Sequence, residues 1–97
     1  MEFQVFAREN CHYCTKAQKI LRLLNAPMRV RYIDGPNATP ENMADLAWLN
    51  WVDEPPLVVV VEGKRVLQRW DGQDVASRER AWYPVVREWL RTHTARA

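Results

Sequence analysis

From Glu2 to Ala7 apolar and polar positions alternate, with Phe3, Val5 and Ala7 on one side of an extended chain and Gln4 and Phe6 on the other. That period, with β-branched and aromatic content, predicts a first strand ending at Arg8-Glu9-Asn10. From Cys14 the period changes: Ala17, Ile20, Leu21 and Leu24 recur at helical spacing with Lys16, Lys19 and Arg22 between them, and Pro27 closes an amphipathic helix. Alternation returns over Met28 to Ile33, predicting a second strand that stops at the turn-forming Asp34-Gly35-Pro36-Asn37. Thr39 is placed to cap a second helix, with Pro40 at its first position and the helix running to about Trp48.

Leu57 to Val61 is an unbroken apolar run of strand length, as expected for a strand buried on both faces. Glu62-Gly63-Lys64-Arg65 turns the chain, and Val66 to Trp70 forms the other arm of a hairpin. Asp71-Gly72-Gln73-Asp74 leads into a final helical region holding Val75, Ala76, Trp82, Val85, Val86, Trp89 and Leu90, with Pro84 beginning or kinking its last helix. The order βαβαββα predicts an α/β fold: a four-stranded mixed sheet flanked by helices. Ninety-seven residues at 47% hydrophobic content fit one domain spanning 1–97, with a tail from about Thr92 to Ala97 that has little to bury and is expected to fray.

A formal charge of +2 with 27% charged residues describes an ordinary soluble surface and offers no basic stripe for nucleic acid. No apolar run approaches the roughly 20 residues that cross a bilayer, and Met1-Glu2-Phe3-Gln4 lacks a signal-peptide pattern, so a cytoplasmic location with no membrane partner is expected. In that compartment thiols stay reduced, and two cysteines two residues apart point to catalysis or metal rather than a staple.

A Cys11-His12-Tyr13-Cys14 sequence between a strand and a helix sets the leading sulfur beside unpaired amides and the positive end of the helix dipole. Cys11 is therefore the expected thiolate, since such surroundings lower a thiol pKa from about 8.5 toward roughly 3.5–7.5. Cys14, one turn later, is the expected resolving thiol. Arg8 either favours the thiolate further or is a solvated surface residue, and His12 either stabilises the thiolate when protonated or is an idle loop residue. Tyr13 is expected to shield the site and give a partner an apolar contact. Only His12 and His93 could join the cysteines around zinc, and neither has a paired spacing, so no metal is expected; Thr15 after Cys14 excludes haem attachment.

Glu54-Pro55-Pro56 directly precedes the buried run, where a cis proline would leave a backbone edge beside Cys11 free to bind an extended substrate. A trans Pro-Pro ending the preceding loop is the alternative. Of the five tryptophans, Trp82, Trp89 and Trp48 are assigned to core packing, while Trp51 and Trp70 flank the site and either line a partner surface or pack inside.

Val5 to Cys14 resembles the strand and active-site loop of the glutaredoxins, which usually read CPYC and often carry a basic residue where Arg8 stands; Tyr32-Ile33-Asp34 resembles the end of their second strand. The resemblance covers nearly the whole chain. It implies a thioredoxin-like fold, a thiol:disulfide oxidoreductase acting through Cys11 and Cys14, and a cis proline at Pro55 or Pro56. It also implies disulfide-bearing protein partners, ribonucleotide reductase among them, no tightly bound cofactor, and glutathione as a co-substrate or thioredoxin reductase as donor. The Thr-Val before the cis proline and the Gly-Gly pair common in glutathione-binding members are absent, whereas Trp70-Asp71-Gly72-Gln73 is similar to the Trp-Ser-Gly-Phe segment of NrdH-type redoxins. Main-chain groups of Gly72 and Asp74 remain candidates for a glutathione contact. A monomer is the simplest state for such a carrier, and a redox-sensing or binding module without general turnover is the competing function.

Overall fold

In the computed structural model, which describes residues 1–49 and 54–94, eight elements follow one another. They are β1 (Glu2–Ala7), α1 (His12–Leu23), β2 (Met28–Tyr32), α2 (Pro40–Trp48), β3 (Leu57–Glu62), β4 (Arg65–Trp70), α3 (Gly72–Ala76) and α4 (Trp82–Thr94). The strands lie in the order β2-β1-β3-β4, with β1 parallel to β2 and antiparallel to β3, and with β3 and β4 an antiparallel hairpin.

The alternation read in β1 decides which layer each residue joins. Phe3, Val5 and Ala7, with Val58 and Val60 of β3, pack against α1, α3 and α4, while Phe6, Leu57 and Val59 face α2. The register sets Phe3 opposite Val60, Val5 opposite Val58 and Phe6 opposite Leu57, so a slip of one residue would exchange the two cores. Occupying the centre of the sheet is why β3 is apolar on both faces. The ladder is irregular at Val60/Val61: Val60 pairs with Gln68 and Val61 with Val66, so Leu67 is skipped and turns toward the larger core.

Local signals set the helix ends. The first helix starts at His12, with Cys11 itself as the N-cap. It closes with Asn25 in the left-handed region (φ 54°), where Asn25 N–H donates to Arg22 O and Ala26 N–H to Leu21 O. Thr39 caps α2 by accepting from Asn42 N–H, with Pro40 in its first turn. The final helical region is two helices, and Pro84 falls in the first turn of α4, where its missing N–H breaks no helical bond.

Helix α4 runs to Thr94, into the segment expected to fray, and the His93 ring stacks on Trp89 with centroids 4.1 Å apart, which gives this turn something to bind. Residues 95–97 lie outside the described residues. Trp48 is not core but 82% exposed, because α2 sets Leu46 and Asn42 against the sheet and a residue two places beyond Leu46 points away. Trp70 belongs to the core, edge-to-face with Trp82 and Trp89 at 5.7 and 6.1 Å. Trp51 lies outside the described residues.

The α2 side holds a buried polar knot. Arg31 is buried; its Nε donates to Asn42 Oδ1 at 2.8 Å, Nη1 to Gln4 Oε1 at 3.0 Å and Nη2 to Asp45 Oδ2 at 2.6 Å. Asn42 Nδ2 donates to Tyr32 O at 2.9 Å, so one amide ties α2 to β2 twice. Asn42→Leu leaves the guanidinium Nε and the Tyr32 carbonyl unpartnered, and we expect a stability loss of about 2–3 kcal/mol in urea unfolding. A midpoint equal to that of the parent protein would contradict the role given to the knot.

Candidate active site

The first strand delivers the chain to a loop that two side chains hold in place. Glu9 N–H donates to Asp34 Oδ1 at 2.8 Å, and Asn37 Nδ2 reaches Glu9 Oε1 at 3.3 Å, tying the loop to the turn after β2. Asn10 then takes a left-handed conformation (φ 54°), which asparagine tolerates better than most residues, and the chain arrives at Cys11.

Cys11 has extended backbone angles (φ −104°, ψ 117°), and its sulfur accepts from Cys14 N–H at 3.2 Å, taking the place usually filled by a capping oxygen. Thr15 donates both its N–H and its hydroxyl to Cys11 O, each at 3.1 Å. The first turn of α1 contains no acidic residue, so nothing there opposes negative charge on that sulfur. The two cysteines are joined as a disulfide with Cα atoms 5.2 Å apart. They differ sharply in access: Cys14 is 1% exposed within the main core, whereas Cys11 is only partly buried and borders a cleft.

That cleft, about 490 Å³, has the segment from Arg8 to Tyr13 on one side and Glu54, Pro55, Gly72, Gln73 and Ala76 on the other. Tyr13 is 41% exposed, with its ring edge-on to His12 at 5.1 Å. The Pro55–Pro56 peptide bond is cis, so of the two candidates Pro56 is the cis residue; it is buried, and Pro55 faces the cleft.

Gly72 joins the two pieces of the far wall. Its N–H donates to Glu54 O at 3.0 Å, and a Cβ there would lie 2.5 Å from Pro55 O and 2.6 Å from Glu54 O, distances no side chain can occupy. Asp71 and Asp74 form a reciprocal capping box at the start of α3, Asp74 N–H to Asp71 Oδ1 at 3.1 Å and Asp71 N–H to Asp74 Oδ2 at 3.0 Å.

Of the residues singled out in the sequence, Arg8, Cys11, His12, Tyr13, Glu54, Pro55 and Gly72 meet at the cleft. Cys14 and Pro56 lie buried, and Asp74 lies outside its lining. Sequence reasoning missed Glu9, Asn10, Gln73 and Ala76 as lining residues and Asp34 as the anchor of the loop. For Gln73 and Ala76 a signal was present, since Asp71 with an acidic residue three places on announces a helix start. Among the described residues, no group of three His, Cys, Asp or Glu side chains is placed to hold a metal ion.

A sequence model of the glutaredoxin family, described as Glutaredoxin, matches residues 3–66. No curated protein matches the chain. Among solved structures, the chain is similar to thioredoxin 1 from the thermophilic eubacterium Thermosipho africanus TCF52B. The TM-score is 0.58 at 19% identity, covering 95% of this chain and 93% of that one, a likeness of thioredoxin-like fold.

Proposed function

The chain belongs to the glutaredoxin family, and from that premise we propose that it reduces protein or glutathione mixed disulfides with Cys11 as nucleophile and Cys14 as resolving thiol. One observation carries the reading: the Cys11 sulfur borders the cleft and accepts the Cys14 amide at the start of α1, while the Cys14 sulfur is buried behind it. In the dithiol state the same amide and the helix dipole favour Cys11 as an anion, the form that attacks sulfur.

The thiolate displaces one sulfur of the substrate disulfide, which leaves as a thiolate and takes up a proton, and Cys11 is left in a mixed disulfide. Cys14 gives up its proton and attacks the Cys11 sulfur; the second substrate thiol leaves, and Cys11 and Cys14 become the disulfide. Two electrons have then passed from the chain to the substrate, and a donor dithiol, or two thiols, returns them.

Helix α3 bears on the identity of that donor. The amides of Gly72 and Asp74, candidates for binding a carboxylate of glutathione, already donate to Glu54 O and Asp71 Oδ1. A ligand carboxylate that used these two amides would have to displace both bonds, which weighs toward a flavoprotein such as thioredoxin reductase rather than glutathione as donor. Turnover of a small disulfide should therefore be at least about tenfold faster with thioredoxin reductase than with glutathione and its reductase, the equivalent of one lost charge-assisted contact. The reverse preference would refute the donor assignment. Failure with both donors would refute the reductase reading and favour a binding module.

A further inference from the structure

Helix α3 has only five residues, too few to persist unaided, yet it supplies Gly72, Gln73 and Ala76 to the cleft. Its start is held by the capping box and by the Gly72 contact with Glu54, and its inner face by the fully buried Val75 side chain. Its end depends on another element. The carbonyl of Val75 belongs to the last turn, where no intrahelical partner exists, and it accepts from Lys16 Nζ at 3.1 Å.

Lys16 stands on α1 two residues after Cys14, half-buried. The same ammonium lies 5.8 Å from the centroid of the Tyr13 ring, within the range in which a cation is attracted to an aromatic face. Tyr13 lines one wall of the cleft and α3 lines the other, so a single side chain touches an element of each wall.

We propose that Lys16 is a positioning residue that fixes the separation of the Tyr13 and α3 walls and thereby the capture of a disulfide-bearing protein, a role that rests on the reductase reading above. It acts on the shape of the docking surface and not on the sulfur chemistry. Its loss accordingly changes how well a folded substrate binds, while a small reagent reaches Cys11 as before.

The test compares the parent protein with Lys16→Met, which keeps the stem and removes the charge, and Lys16→Arg, which keeps a cationic donor. With insulin as protein disulfide substrate, Lys16→Met should raise KM about three- to tenfold with kcat within about twofold, because both walls lose the contact that sets their separation. Lys16→Arg should restore most of the loss, and iodoacetamide should alkylate reduced Cys11 at the parent rate in both variants. An unchanged KM in Lys16→Met, a KM in Lys16→Arg as high as in Lys16→Met, or an alkylation rate falling in step with kcat would each overturn the proposal. A parent protein that reduces no disulfide would instead defeat the reductase reading itself.

Discussion

Cys11→Ser is expected to lower disulfide turnover by at least about a thousandfold, because the attacking sulfur has no substitute in the cleft and a serine hydroxyl is not ionised at neutral pH. Cys14→Ser should behave differently. The nucleophile and its helix start remain, so attack proceeds, but no second sulfur stands behind Cys11 to release the product. That variant should accumulate mixed disulfides with several proteins, each linked through Cys11 and each released by a reducing agent. Full activity in Cys11→Ser would remove the nucleophile assigned to the site. Capture of one partner without a covalent bond would point to a binding module.

Gly72→Ala should have the next largest effect. The added carbon would meet the backbone oxygens of Glu54 and Pro55 and not the end of a flexible side chain, so relief requires α3 or the segment before β3 to move. Overpacking of this kind costs about 1–3 kcal/mol, and the displaced wall is also the wall of the cleft. We expect a lower urea midpoint together with a higher KM for protein disulfides, even though both cysteines are untouched. If neither midpoint nor KM changes, the close approach at Gly72 is not what holds the wall.

Much of this arrangement was legible because its signals are local. Thr39-Pro40 marked the start of α2, and the alternation around Phe3 and Val5 marked the core face of β1. The unbroken run at Leu57 reflected a strand covered on both faces, and the strand-to-helix junction at Cys11 is where α1 starts, with Cys11 as its N-cap. What escaped depends on contacts distant in sequence. Arg31 looked like one more polar residue of an alternating strand, and its burial rests on Gln4, Asn42 and Asp45 converging on it, with Glu41 also within ion-pair distance. Trp48 looked like core because tryptophan usually is, but the phase of α2 was set by Leu46 and Asn42. The anchoring of Glu9 by Asp34, 25 residues later, and the clasp of Lys16 on Val75, 59 residues later, leave no periodic trace. Equally unannounced is that the carboxylate and amide of Asp74, whose main chain is a candidate glutathione contact, both serve in starting α3.

The central claim is an asymmetry between two sulfurs: one bordering a cleft and cradled by a helix amide, the other sealed in the core. Peptide mapping of the fully reduced, folded protein after a brief exposure to substoichiometric iodoacetamide measures it directly. The label should be found on Cys11, with Cys14 modified only after unfolding. Equal labelling of the two cysteines, or labelling of Cys14 first, would contradict the account.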